Sequence, residues 1–271
     1  MSALDRDDRS GEFYVGYLPE APPGVASFVR RVTVLALVLL VLAAFGVVAS
    51  QSAFSPSRFE FGELREVRGV LRASPVPMLR VAAGDDVHGR RVHRHLLLVA
   101  PGKFGAASLL EGFEERVGRP LAEVEATLRG TLIYHDGKAL LELSEGEGAL
   151  VGFEPHSSPM VEPTLTDLGP TTVTGEIVDS KCYFGVMKPG LGKPHRSCAV
   201  RCLSGGIPPV LMMRNDEGDA DYLVLTGPDL EPIHDRVLDY VAEPVEIEGR
   251  LSQVEDWLFL RVDPSTGIRR Q

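Results

Sequence analysis

The chain has 271 residues, 44% hydrophobic and 24% charged: enough apolar content to build a core, and not the composition of a broadly disordered protein. Its formal net charge of -10 argues against a nucleic-acid partner, because phosphate binding rests on clustered Lys and Arg. Its length suits one large or two small domains.

Residues 1–31 read as a short tail, with Tyr14, Tyr17, Pro19, Pro22 and Pro23 suited to anchoring a helix at a membrane interface. An apolar run follows over 32–50, V-T-V-L-A-L-V-L-L-V-L-A-A-F-G-V-V-A-S, with Thr33 its one polar residue before Ser50. At about 1.5 Å per residue it nearly spans a hydrocarbon core of roughly 30 Å. Arg30 and Arg31 abut its start, and no basic residue follows until Arg58, which places the tail in the cytoplasm and the bulk of the chain outside. A cleaved signal peptide and a soluble core helix are the alternatives. The long acidic lead with Asp5, Asp7 and Asp8, and the poor V-A-S cleavage option, disfavour the signal peptide. The expectation is a single-pass anchor in a bacterial inner membrane, with the rest periplasmic or extracellular.

Beyond the anchor the sequence repeats itself. A first domain is expected over 58–150, a polar Pro-bearing connector over 151–168, and a second domain over 169–264. Glu66–Leu71 parallels Thr172–Val178, and His95–Val99 parallels Asp221–Leu225. The ends also match, R-P-L-A-E-V-E-A-T-L-R-G-T-L against E-P-V-E-I-E-G-R-L, each followed by a charged turn and an apolar strand. Short alternating strands with Gly and Pro punctuation predict antiparallel sheet, and the mid-strand glycines mark bends. Five strands with a helix or irregular insert between the third and fourth predict an all-β fold of two tandem OB-like barrels. The F-x-F-G-x4-V-x-G-V-L opening (Phe59 to Leu71) and P-V-E-I-E-G-R-L (Pro244 to Leu251) resemble the OB-fold domains of exported, membrane-anchored bacterial proteins. In layout the chain is similar to the haem chaperone of cytochrome c maturation, yet it carries neither H-x-x-x-Y nor C-x-x-C-H.

All three cysteines fall within one segment of the second repeat, as C-x12-H-x2-C-x3-C: Cys182, His195, Cys198 and Cys202. The first repeat has no counterpart. Pro194 and Gly205-Gly206 suggest a short helix over 195–204, on which His195, Cys198 and Cys202 share a face. Cys182, at the end of the repeat's first strand, is positioned to approach that face, with Met187 as a fifth candidate ligand. Three chemistries stay open. A Cys3His set suits zinc, or copper, and the C-x3-C pair is similar to copper-chaperone motifs, although here the histidine precedes the cysteines. Alternatively Cys182 forms a disulfide with one helix cysteine, worth roughly 3 kcal/mol, leaving one thiol free. The third chemistry is a reactive thiol, for which no acidic residue is evident to orient His195. The leading expectation is a metal-binding accessory or assembly protein for a membrane or exported redox complex, with a non-enzymatic docking subunit and a thiol redox protein as rivals. His93 and His95, with His88 nearby, read as a solvated strand face, and as a weaker chelating pair. His135, His156 and His234 carry no expected role.

Overall fold

The computed structural model describes residues 21–52, 57–85, 91–155, 165–215 and 220–271. Tyr14, Tyr17, Pro19, His88 and His156 lie outside them. Helix α1, Pro23–Ser52, starts nine residues before the apolar run. Proline at the first helical position has no N–H to waste and a pre-set φ, so Pro23 suits the opening of the helix. Over 32–50 the helix is apolar on every side with its side chains exposed, and it is long and apolar enough to cross a membrane. Ser55–Gln271 forms a separate compact unit, built mainly of strands with two α-helices among them.

That unit begins with β1 (Ser57–Phe59), β2 (Arg65–Arg72), β3 (Met78–Asp85) and β4 (Arg91–Val99). Helix α2 (Ala107–Val117) leads to β5 (Val124–His135), β6 (Lys138–Leu143) and β7 (Leu150–Pro155). Strand β2 pairs with β3 and β3 with β4; β4 lies parallel to β6, β6 pairs with β5, and β5 returns to β2. The circuit closes a five-stranded barrel, with β1 and β7 added along β5. The helix falls between the third and fourth barrel strands, as expected. Gly130 lets the long β5 pass close to β6, since a Cβ there would collide with the Glu142 carbonyl.

The chain continues with β8 (Leu165–Asp179), helix α3 (Gly192–Ser204), β9 (Pro209–Arg214) and β10 (Ala220–Thr226). It ends with β11 (Pro244–Val254), β12 (Trp257–Arg261) and β13 (Ile268–Arg270). Here β8 pairs with β9, β9 with β10, and β10 runs parallel to β12, while β11 pairs with both β12 and β8. The order of pairings is the same as in the first sheet. One feature departs from expectation. The connector foreseen over 151–168 is strand at both described ends, because Leu150, Val151 and Phe153 carry an extended segment that completes β5's edge. The second sheet's helix, as expected, joins its first and second strands, where the first sheet has only the turn 73–77.

Three apolar clusters follow from strand alternation. Leu96, Leu98, Leu128 and Leu141 fill the first barrel. Ile177, Leu211, Leu223 and Leu260 lie within the second sheet. The residues of opposite parity, among them Leu97, Val99 and Leu140 from the first sheet and Val210, Val224, Trp257 and Phe259 from the second, pack together in a shared third cluster. Burial on both faces is why these strands read as unbroken apolar runs such as L-L-L-V and W-L-F-L. Cys182 and Cys202 belong to that shared cluster, so the cysteine segment sits where the two sheets meet.

Candidate metal centre

Strand β8 ends at Asp179, whose side chain is fully buried. Its Oδ1 accepts a hydrogen bond from the Cys182 N–H at 2.8 Å, a local side-chain-to-backbone link that turns the chain out of the strand. A π-helical turn over Cys182–Val186 follows, closed by the Met187 N–H on the Cys182 carbonyl at 3.0 Å. The turn drives Tyr183 and Phe184 into the shared apolar cluster and leaves the Cys182 sulfur facing α3. Helix α3 carries His195 in its first turn and Cys198 and Cys202 three and seven positions on, all on one side.

The sulfurs converge. Cys182 Sγ lies 3.9 Å from Cys198 Sγ and 3.7 Å from Cys202 Sγ, and the three cysteines are unbonded. Two thiolates on a tetrahedral metal, with metal–sulfur bonds of about 2.3 Å, stand about 3.8 Å apart along a tetrahedral edge. Disulfide sulfurs stand about 2.05 Å apart. The ligand atoms of Cys182, His195 and Cys198 lie within 4.8 Å of one another, as do those of Asp179, Cys182 and Cys202. Cys182 is common to both triads, whereas His195 and Cys202 fall in different ones. Met187 is 40% exposed and contributes its backbone N–H to the turn.

Two residues complete the site that the sequence did not advertise. The expectation that no acid orients His195 is overturned: Asp179 Oδ2 is 3.0 Å from His195 Nε2, and both side chains are buried. Buried carboxylate–imidazole pairs of this kind fix ring orientation and raise the basicity of the other ring nitrogen. The only advance signal was an aspartate three residues before a cysteine at a strand end. The second residue is Lys103, from the connection between β4 and α2. Its Nζ donates to Cys198 Sγ at 2.7 Å and lies 3.8 Å from Cys202 Sγ. Nothing local to the cysteine segment signals it.

The electrostatics favour an ionised sulfur. The hydrogen bond to Cys198 holds the Lys103 ammonium pKa above its ordinary value. The Cys182 thiol is pushed up, first by its hydrogen bond to Cys202 and then by burial. Cys202 is lowered by that same hydrogen bond, with help from Lys103. Lys181, also buried, anchors the Lys103 connection: its Nζ donates to the carbonyls of Ala100 at 2.9 Å and Gly102 at 2.7 Å, and pairs with Glu142 at 3.1 Å. At the far end of α3, a Cβ on Gly205 would collide with the Lys103 carbonyl, and the Gly105 N–H donates to the Gly205 carbonyl at 2.9 Å.

The other histidines are engaged elsewhere. His95 is buried, with Nδ1 2.7 Å from Asp256 Oδ1, so it is not on a solvated face. His93 Nδ1 accepts from Arg80 at 3.1 Å, so the two rings have separate partners. His135, expected to stand alone in a turn, is buried against Tyr183, Phe184 and Tyr222, with Nε2 2.9 Å from the Tyr222 hydroxyl. Compared with known proteins, the chain matches no protein-family model and no curated relative.

Proposed function

We propose that this chain is a membrane-anchored, extracytoplasmic accessory protein that binds one copper or zinc ion for assembly of a membrane or exported redox complex. Cys182, Cys198, Cys202 and His195 are its ligands. The observation that carries the reading is the sulfur spacing, which matches the edges of a tetrahedral thiolate site beside a carboxylate-bound imidazole. The donor set fits the ion chemically as well. Three thiolates and a neutral imidazole on a divalent ion sum to one negative charge, which the Lys103 ammonium offsets. Arg30 and Arg31 before the apolar helix support a cytoplasmic N-terminus and an external site. The matching order of strand pairings supports two tandem OB-like domains, with α3 as a graft on the second.

The test is substitution. Cys198→Ser should abolish stoichiometric metal binding in the full chain while far-UV circular dichroism stays unchanged. Undiminished metal in that variant would refute the ligand set. The rival docking-subunit reading, with Cys182 in a disulfide, predicts one free thiol on denaturation under non-reducing conditions, against three for the metal site.

A further inference from the structure

We infer that the metal-free site has a second chemistry: Cys198 reduces a hydroperoxide and Cys182 resolves the product as an intramolecular disulfide. The three sulfurs are not equivalent. Cys182 and Cys202 are buried, at 5% and 1% exposure, while Cys198 is partly exposed. Cys198 is therefore the sulfur a small oxidant reaches first. It is also the one contacted most closely by the Lys103 ammonium, at 2.7 Å, a donor placed to stabilise negative charge on the departing oxygen.

In the first step an electron pair on Cys198 sulfur attacks the terminal peroxide oxygen and the O–O bond breaks. The departing oxygen leaves as water or alcohol with the thiol's proton, and the sulfur becomes a sulfenic acid. In the second step Cys182 sulfur attacks Cys198 sulfur, the S–OH bond breaks, and hydroxide leaves with the Cys182 proton as a second water. One hydroperoxide is reduced by two electrons, and two thiols are oxidised to one disulfide. Cys182 is the resolving partner because it comes from a different element and already lies 3.9 Å from Cys198. Cys198 and Cys202 lie one turn apart on α3, where Cβ atoms stand about 5–6 Å apart, beyond the 3.5–4.5 Å a disulfide needs. The inference deepens the metal reading in one respect: the reaction removes two sulfur ligands, so peroxide would discharge the ion. The thiol chemistry itself does not require that reading.

The test uses the full chain in detergent, reduced, freed of metal with a chelator and treated with one equivalent of hydrogen peroxide. Peptide mapping after alkylation should find a Cys182–Cys198 disulfide. Cys182→Ser should instead accumulate a dimedone adduct on Cys198. Peroxide consumption should fall at least ten-fold in Cys198→Ser, and several-fold in Lys103→Met. A dominant Cys198–Cys202 bridge, a dimedone adduct chiefly on another cysteine, or undiminished consumption in Cys198→Ser would overturn the inference. Zinc added before peroxide separates the two readings. A chain that binds zinc yet, when metal-free, forms no Cys182–Cys198 bridge loses this inference alone. One that forms the bridge but never binds zinc loses only the metal reading.

Discussion

At the scale of single residues, Asp179 is the group on which the site turns. One oxygen bonds the Cys182 N–H and the other meets His195, so a single carboxylate sets the position of a proposed ligand on each of two elements. Asp179→Asn keeps the volume and an acceptor oxygen but removes the charge that makes the imidazole a better ligand. Metal affinity should fall about 10–100-fold, read by competition with a chelating dye. The three cysteines and His195 were legible from their spacing, because offsets of three and seven on a helix share a face. Asp179 was much less so: an aspartate at a strand end ordinarily reads as turn chemistry. Lys103 was not legible, since its contact with Cys198 crosses 95 positions of sequence and depends wholly on how the two sheets pack.

At the scale of elements, α3 and the β4–α2 connection are held as a unit. Lys181 clamps the carbonyls of Ala100 and Gly102, and Gly205 allows the Lys103 backbone to approach the end of the helix. Replacing Lys181 with Met would leave Glu142 and both carbonyls without their buried cation. The expected cost is about 3–5 kcal/mol, seen as a lower urea midpoint at an unchanged m value. Sequence patterning anticipated the strands and the helix over the cysteines, because period-two alternation, Pro194 and Gly205-Gly206 are local signals. It missed β7, whose short extended segment is held by β5 and by little in its own composition.

At the scale of the whole molecule, the second compact unit is built around the cluster shared by both sheets, which no local pattern specifies. Trp257 is fully buried there and donates its indole N–H to the His95 carbonyl at 2.8 Å. Next to it, burial pushes the Asp256 carboxyl up, but hydrogen bonds from the His95 ring and N–H outweigh that and leave it below the usual carboxylate range. A carboxyl depressed in the folded state contributes stability above its unfolded pKa of about 3.9 and loses it as pH falls through the lower folded value. Wild type should therefore exceed Asp256→Asn in stability near pH 7, with the gap narrowing below about pH 4. Urea unfolding at several pH values measures that gap. The apolar helix α1 was the plainest feature of the sequence, and it is long and apolar enough to cross a membrane.

The most direct measurement is elemental analysis of the full chain, purified in detergent without affinity metals, with thiols counted after the metal is removed. The account predicts about one copper or zinc ion per chain, as a single four-ligand site requires, and three titratable thiols. No bound metal together with a single free thiol would contradict it and leave the cysteine segment as a disulfide staple.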